Sequence, residues 1–342
     1  MGDLVGELLV MTERQAGFHE YRNALRDEVS ASRAVTASTL SALRINHPAI
    51  RDYKARLLGG RSSTEDYADW IEFLTREYPP PSRALSLGAG EGRVESYLVS
   101  TGWVKELEAI ELSPHSVSRV RKSSTALAVD EGDLNFVCLE ENTYDFVLCH
   151  SILHHLINLE HVMFQIHRSL RPGGTVLIYE YVGEDRWQFD SERLRRIRAH
   201  VPEVDLRLPD PWKVRGFESV RSGALPGLIL EQFGEPVGRS VNYGGVYFPF
   251  ITCSSDDADQ YMNRVVELDE QWADAGEIAP CYHMGVYRKS EPVITAVQKW
   301  TDDEVRQRCM PRAPFGASMK RKLRRTSPWQ RLRDLRHQVG AH

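Results

Sequence analysis

The spacing of apolar residues changes along the chain, and the change divides it. Up to about residue 80 the period is helical. Tyr67, Trp70, Ile71, Leu74 and Tyr78 share one face of a predicted helix. Ahead of it, Ser62-Ser63-Thr64-Glu65 reads as a capping box, in which Ser62 and Glu65 satisfy each other's backbone N–H groups. Pro79-Pro80-Pro81 stops the helix. Residues 8–43 are expected to be helical as well. From Arg83 onward, short apolar runs alternate with helical patterns. The predicted strands are Ala84-Leu85-Ser86-Leu87, Leu107-Glu108-Ala109-Ile110, Tyr144-Asp145-Phe146-Val147-Leu148-Cys149 and Thr175-Val176-Leu177-Ile178-Tyr179. Helices are expected from near Arg93 and from Ser113-Pro114, as N-cap and first turn, with Val117 and Val120 inward. A third carries Leu159, Val162, Ile166 and Leu170 and ends at Gly173-Gly174. Two later strands are expected at residues 236–243 and 281–288. This alternation predicts an α/β fold with a parallel, doubly wound sheet. Residues 1–80 form a helical N-terminal region, 81–289 the α/β domain with an irregular, partly helical insertion at 184–232, and 290–342 a C-terminal extension.

Composition narrows the setting. With 42% hydrophobic and 27% charged residues, the chain is an ordinary globular one. No apolar run approaches the ~18 residues needed to cross a bilayer. The N-terminus carries Asp3 and Glu7 and no basic stretch, unlike a secretory signal. The cysteines Cys138, Cys149, Cys253, Cys281 and Cys309 show no paired spacing, which argues against a disulfide framework or a zinc site. The chain is read as cytoplasmic, with no membrane partner. Its net charge of -5 is uneven: Lys320 to Arg336 hold eight basic residues and one acid, and the rest carries -12. A solvated or self-docking basic tail is favoured over a nucleic-acid arm built with Trp329. A homodimer is compatible with a sequence that leaves the oligomeric state open.

Four motifs carry candidate chemistry. Leu87-Gly88-Ala89-Gly90-Glu91-Gly92 joins a strand to a helix. Its glycines permit positive φ and close approach of a ligand, and the helix start offers free N–H donors. A dinucleotide fingerprint would want glycine where Arg93 stands. Glu111 ends the second strand, where a carboxylate can accept from the ribose hydroxyls of an adenosine ligand. Leu112 follows it. Asp133, in Gly132-Asp133-Leu134, could accept from an adenine amino group, with Leu134 against the ring; the blander reading is a turn aspartate. Cys149-His150-Ser151-Ile152-Leu153-His154-His155 lies at the carboxyl end of a strand, the edge where open α/β sheets bind ligands. There His154 or His155 could move a proton near neutral pH. No carboxylate or cysteine has convincing ligand spacing to them, so no metal site is expected.

Together these residues resemble class I S-adenosylmethionine-dependent methyltransferases, especially the small-molecule branch of quinone-biosynthesis and sugar-tailoring enzymes. The matching pieces are Leu85 to Gly92, Ile110-Glu111-Leu112-Ser113, Gly132-Asp133, Tyr144-Asp145-Phe146-Val147, Leu153-His154-His155-Leu156 and Leu170-Arg171-Pro172-Gly173-Gly174. A looser similarity to bacterial saccharide and natural-product methyltransferases covers residues 47–74 and 180–189. The resemblance implies a Rossmann-like methyltransferase fold with a seven-stranded, mostly parallel sheet. It implies S-adenosylmethionine as cofactor, held by Gly88, Ala89, Gly90, Glu111, Leu112, Asp133, Leu134 and His150. One departure stands out: the family usually has an acid two residues before the first glycine, where this chain has Ser86.

In the sugar O-methyltransferases that the chain resembles, the positions matching His154 and Glu180 serve as general base and its partner. O-methylation of a small-molecule or saccharide hydroxyl is therefore favoured, with N-methylation of a small amine as the alternative. His155 is the further catalytic candidate. The insertion at 184–232 is read as a lid, with Trp187, Phe189, Trp212 and Phe217 over the acceptor. Arg186, Arg193, Arg195, Arg196 and Arg198 could bind an anionic group on that acceptor, or form a solvated helix face. Two other classes stay open. One is a nicotinamide oxidoreductase, disfavoured by Arg93 and by the Leu170 to Gly174 motif; the other is a non-catalytic cofactor-binding protein.

Overall fold

Seven strands form one sheet in the order β3-β2-β1-β4-β5-β7-β6. In this computed structural model, residues 21, 23–29, 44–60, 67–123, 127–210, 214 and 216–289 are described. The strands are β1 (Arg83–Leu87), β2 (Glu106–Glu111), β3 (Leu127–Glu131), β4 (Tyr144–His150), β5 (Leu170–Tyr181), β6 (Val241–Tyr243) and β7 (Tyr282–Arg288). β1 to β5 run parallel to their neighbours, while β7 pairs antiparallel with both β5 and β6. This is the Rossmann-like methyltransferase arrangement. The order turns back between β1 and β4, and a ligand crevice opens above the strand ends at such a switch point.

The strands are buried on both faces, as a parallel sheet requires, and side chains alternate between two cores. Phe146, Leu148, Leu177 and Tyr179 enter one core; Val147, Cys149, Val176 and Ile178 enter the other. The first is covered by α1 (Pro48–Leu58), α2 (Ala68–Glu77), α3 (Arg93–Ser100) and α4 (Pro114–Ser123), with α6 (Ser191–His200), α8 (Tyr247–Cys253) and α9 (Met262–Asp274). The second is covered by α5 (Leu159–Ser169) and α7 (Leu225–Phe233). The predicted face of α2 holds, since Trp70, Ile71 and Leu74 are fully buried. The capping box at residues 62–65 lies outside the described residues, as do Trp212 and the basic tail.

Three expectations are corrected, the first being that β6 covers only Val241–Tyr243 of the strand expected at 236–243. The third helix ends at Ser169, and Leu170 to Tyr181 run as one strand through Gly173-Gly174. Leu170 pairs with Tyr144 before a register shift, and Gly173 takes up the bend with a positive φ of 77°. The insertion is also not a lid throughout: Leu225, Ile229 and Phe233 of α7 pack into the second core against α5. No described helix is long and apolar enough to cross a membrane, and no disulfide joins the four described cysteines.

Candidate functional site

The turn after β1 is held tightly. Gly88 and Ala89 donate to the carbonyl of Ile110, at 2.8 and 3.3 Å. Gly88, Gly90 and Gly92 all have positive φ. A Cβ on Gly88 would meet the Ile152 side chain at 2.4 Å, whereas around Gly90 there is open space. The turn forms one wall of a cavity of about 540 Å³ above the ends of β1, β2 and β4, within the range of small-molecule sites.

The sequence-predicted residues Gly88, Ala89, Gly90, Glu111, Leu112, Asp133, Leu134, His150 and His155 all line this cavity. Glu111 Oε2 accepts from Gly90 N and Oε1 from Ser113 N, both at 2.8 Å. Burial raises the Glu111 carboxyl, and those N–H groups pull it partly back. Asp133 caps a 3-10 turn, accepting from Asn135 N at 3.0 Å, and Tyr21 donates to its other oxygen. His150 stacks on Trp70, ring centroids 5.2 Å apart.

Behind the turn, Ser86 donates to Glu95 Oε1 at 2.6 Å, and both residues are buried. The acid missing from β1 has thus a counterpart on α3. Glu95 borders the cavity, and its second oxygen has no partner among the described residues. Burial, with Glu111 nearby, pushes its carboxyl up to about 7 despite the Ser86 hydrogen bond.

The other end of the cavity is a cluster of imidazoles and carboxylates. After β4, Ser151 has a φ of 52° and a 3-10 turn spans Leu153–His155. Glu180, at the end of β5 and fully buried, fixes this turn: Oε1 accepts from Ile152 N and Leu153 N, and Oε2 pairs with His154 Nδ1, all at 2.7 Å. Burial alone would raise the Glu180 carboxyl, but His154 and the two N–H groups hold it below its ordinary value. The carboxylate only accepts, so Nδ1 of His154 carries the proton and Nε2 faces away. That Nε2 lies 3.6 Å from Glu218 Oε1. His155 Nδ1 meets Glu28 Oε1 at 3.0 Å, and its Nε2 lies 3.6 Å from Glu218 Oε2. Burial opposes protonation of His155, but Glu28, Glu218 and Glu180 outweigh it and raise its pKa to about 9.

Among the expected catalytic residues, the placement differs from expectation in one respect. His155 and Glu218 line the cavity, while His154 and Glu180 stand directly behind them. Glu28, Glu95 and Glu218 were not legible as site residues. Glu218 lies in an aperiodic stretch, and Arg221 pins that stretch to Glu160 and the Ile157 carbonyl at 2.6–2.8 Å. Of the aromatic residues expected over the acceptor, Phe217 lines the cavity, whereas Trp187 and Phe189 pack on Phe248. The arginines expected at an anionic acceptor are engaged elsewhere. Arg193 binds Gly245 O, Ala279 O and Glu184; Arg195 pairs with Glu192, Arg196 with Glu277 and Arg198 with Asp205; Arg186 donates to Val214 O.

Comparison with known proteins finds a methyltransferase domain within the chain. The chain is 30% identical over 164 residues to an uncharacterised methyltransferase-like protein of Schizosaccharomyces pombe, covering 46% of this chain and 62% of that one. It is 27% identical over 238 residues to the human mitochondrial arginine-hydroxylase NDUFAF5, covering 69% and 59%. It thus spans less than two thirds of either relative. A solved structure described as a putative sarcosine dimethylglycine methyltransferase from Galdieria sulphuraria aligns with a TM-score of 0.40 at 20% identity, over 65% of this chain and 84% of its own. Residues 85–178, which supply the glycine turn, Glu111, Asp133 and the two histidines, match the family model of a methyltransferase domain.

Proposed function

We propose that this protein is an S-adenosylmethionine-dependent methyltransferase whose acceptor sits at the His155–Glu218 end of the cavity. The observation that carries the reading is Glu111. Its carboxylate ends β2 on the cavity wall, held by two backbone N–H groups in a fixed orientation with lone pairs left over for a diol. The remaining walls fit the same cofactor. Asp133 and Leu134 stand at the position for a base, and Arg93 and Glu95, whose second oxygen has no partner among the described residues, both line the cavity near the helix start. S-adenosylmethionine supplies an electrophilic sulfonium methyl, so the chain's own residues have mainly to align an acceptor and receive its proton.

Within that reading we favour a hydroxyl acceptor on a small molecule or saccharide. A hydroxyl needs a proton acceptor, and His154, oriented by Glu180, is the base at this end. Its Nε2 points to Glu218 rather than straight into the cavity, so the proton passes the Glu218–His155 wall. One observation favours an amine as the second reading: Glu28 and Glu218 on the wall would hold a cationic group. Calorimetry with S-adenosylhomocysteine against NAD tests the cofactor; preference for NAD would overturn the proposal. Mass spectrometry of a cell extract incubated with deuteromethyl-labelled cofactor then shows whether oxygen or nitrogen gains the label.

A further inference from the structure

We propose that Nε2 of His154, Nε2 of His155 and the carboxylate of Glu218 form a binding site for a divalent first-row transition-metal ion. One ligand atom from each residue lies within 4.8 Å of the others. Both Nε2 atoms stand 3.6 Å from an oxygen of the same carboxylate. That separation is too long for a hydrogen bond, although the neighbouring Glu180–His154 pair closes to 2.7 Å. It suits ligands around an ion: donors about 2.1 Å from a tetrahedral centre lie roughly 3.4 Å apart.

The outer layer has the same logic. A metal-binding histidine usually gives its other ring nitrogen to a carboxylate, which fixes the tautomer and aims the lone pair. His154 does so, Nδ1 to Glu180 at 2.7 Å, and His155 Nδ1 lies 3.0 Å from Glu28 as an ion-pair contact. The rings lie side by side, centroids 4.2 Å apart, so their Nε2 edges converge on Glu218. Three carboxylates, Glu28, Glu180 and Glu218, surround two imidazoles, a charge balance that favours a cation. The donor set of two imidazoles and one carboxylate suits zinc, cobalt, iron or manganese. The side formed by His155 and Glu218 opens to the cavity, leaving a coordination position for the acceptor.

This inference rests on placing the acceptor at that end of the cavity, and with the ion bound it replaces the general-base role of His154: the ion lowers the pKa of a coordinated hydroxyl, whose proton leaves to solvent through the cavity. Nε2 of His154 has one lone pair, so a bound ion takes the place of the proton that a free imidazole would accept.

The test uses full-length, untagged protein stripped with a chelator and titrated with Co²⁺ alone, read by visible absorption. One saturable equivalent, displaced by Zn²⁺, is expected. His155→Ala and Glu218→Gln should each abolish it, and Glu180→Gln should weaken it about 10–100-fold. A thermal melt recorded on every variant reports that each is folded. Glu218→Gln, on a surface stretch, is the variant least exposed to misfolding. Absence of a saturable cobalt spectrum in wild type, or one that Glu218→Gln and His155→Ala leave unchanged, overturns the site. Loss of homocysteine-analogue binding in wild type would instead overturn the cofactor reading, whatever cobalt does. Full turnover by chelated, metal-free protein would restore free His154 as the base.

Discussion

Glu111 does two jobs with one carboxylate, and its removal should show both. It orders the Gly90 and Ser113 N–H groups and offers the remaining lone pairs to a ligand. Glu111→Ala is expected to weaken S-adenosylhomocysteine binding by about 1.5–3 kcal/mol, the range for hydrogen bonds to charged groups. Unchanged calorimetric affinity in a folded variant would remove Glu111 from the site. Glu95 gives a pH signature of its own. Its carboxyl titrates near 7 when folded against 4.5 as the ordinary value. Below about pH 4.5 it is protonated in both states and imposes no penalty. Between there and pH 7 the unfolded chain ionises first, so stability falls as pH rises. Urea unfolding should show Glu95→Gln gaining on wild type from pH 5 to pH 8, by on the order of 1–3 kcal/mol; parallel curves would sink the assignment. Much of this was readable in advance, because glycines and strand-end acids sit at fixed offsets in one continuous motif. Glu95 was not, since nothing in the spacing tells a helix-surface acid from one folded under Ser86.

At the level of elements, the turn after β1 and the turn after β4 are one mechanical unit. Ile152 packs where a Cβ on Gly88 would be, and its N–H lies on Glu180. Gly88→Ala should therefore push on the histidine turn as well as the cofactor wall. Its positive φ adds strain of order 1–3 kcal/mol. A thermal melt several degrees lower, together with weaker cofactor binding, is expected; wild-type behaviour in both would show that the turns move independently. The helix α7 predicts something different. Ile229 is 2% exposed and packs with Leu159 and Ile166 in the second core, so Ile229→Ala should cost about 2–5 kcal/mol in unfolding free energy while leaving cofactor affinity near wild type. A lid would show the reverse. Sequence patterning foresaw helix in the insertion but not that this one packs into the core, because Pro226 and Gly227 in the first turn of α7 interrupt the apolar period. The strands were easier, because their apolar runs are continuous where both faces are buried.

At the scale of the whole molecule, the cavity is built from parts far apart in the chain. The matched domain, residues 85–178, supplies the cofactor walls and the histidines. Glu28 comes from before it and Glu218 from after it, and neither could be assigned without the fold. The basic stretch between Lys320 and Arg336 lies outside the described residues. If it only docks or floats, removing residues 319–342 should leave cofactor affinity intact at every salt concentration. A large loss of acceptor binding that depends on salt would mean that the tail meets an anionic partner.

The short segment at residues 21–29 touches both ends of the cavity. Tyr21 donates to Asp133 and lies against Phe136 and Phe217, while Glu28 holds His155 and the Phe217 N–H. Were an adenosine group to leave past Tyr21, a movement of this segment that frees Asp133 would also withdraw the Glu28 carboxylate from His155. On the proposed function, release of the spent cofactor and reset of the acceptor end are then expected as a single event.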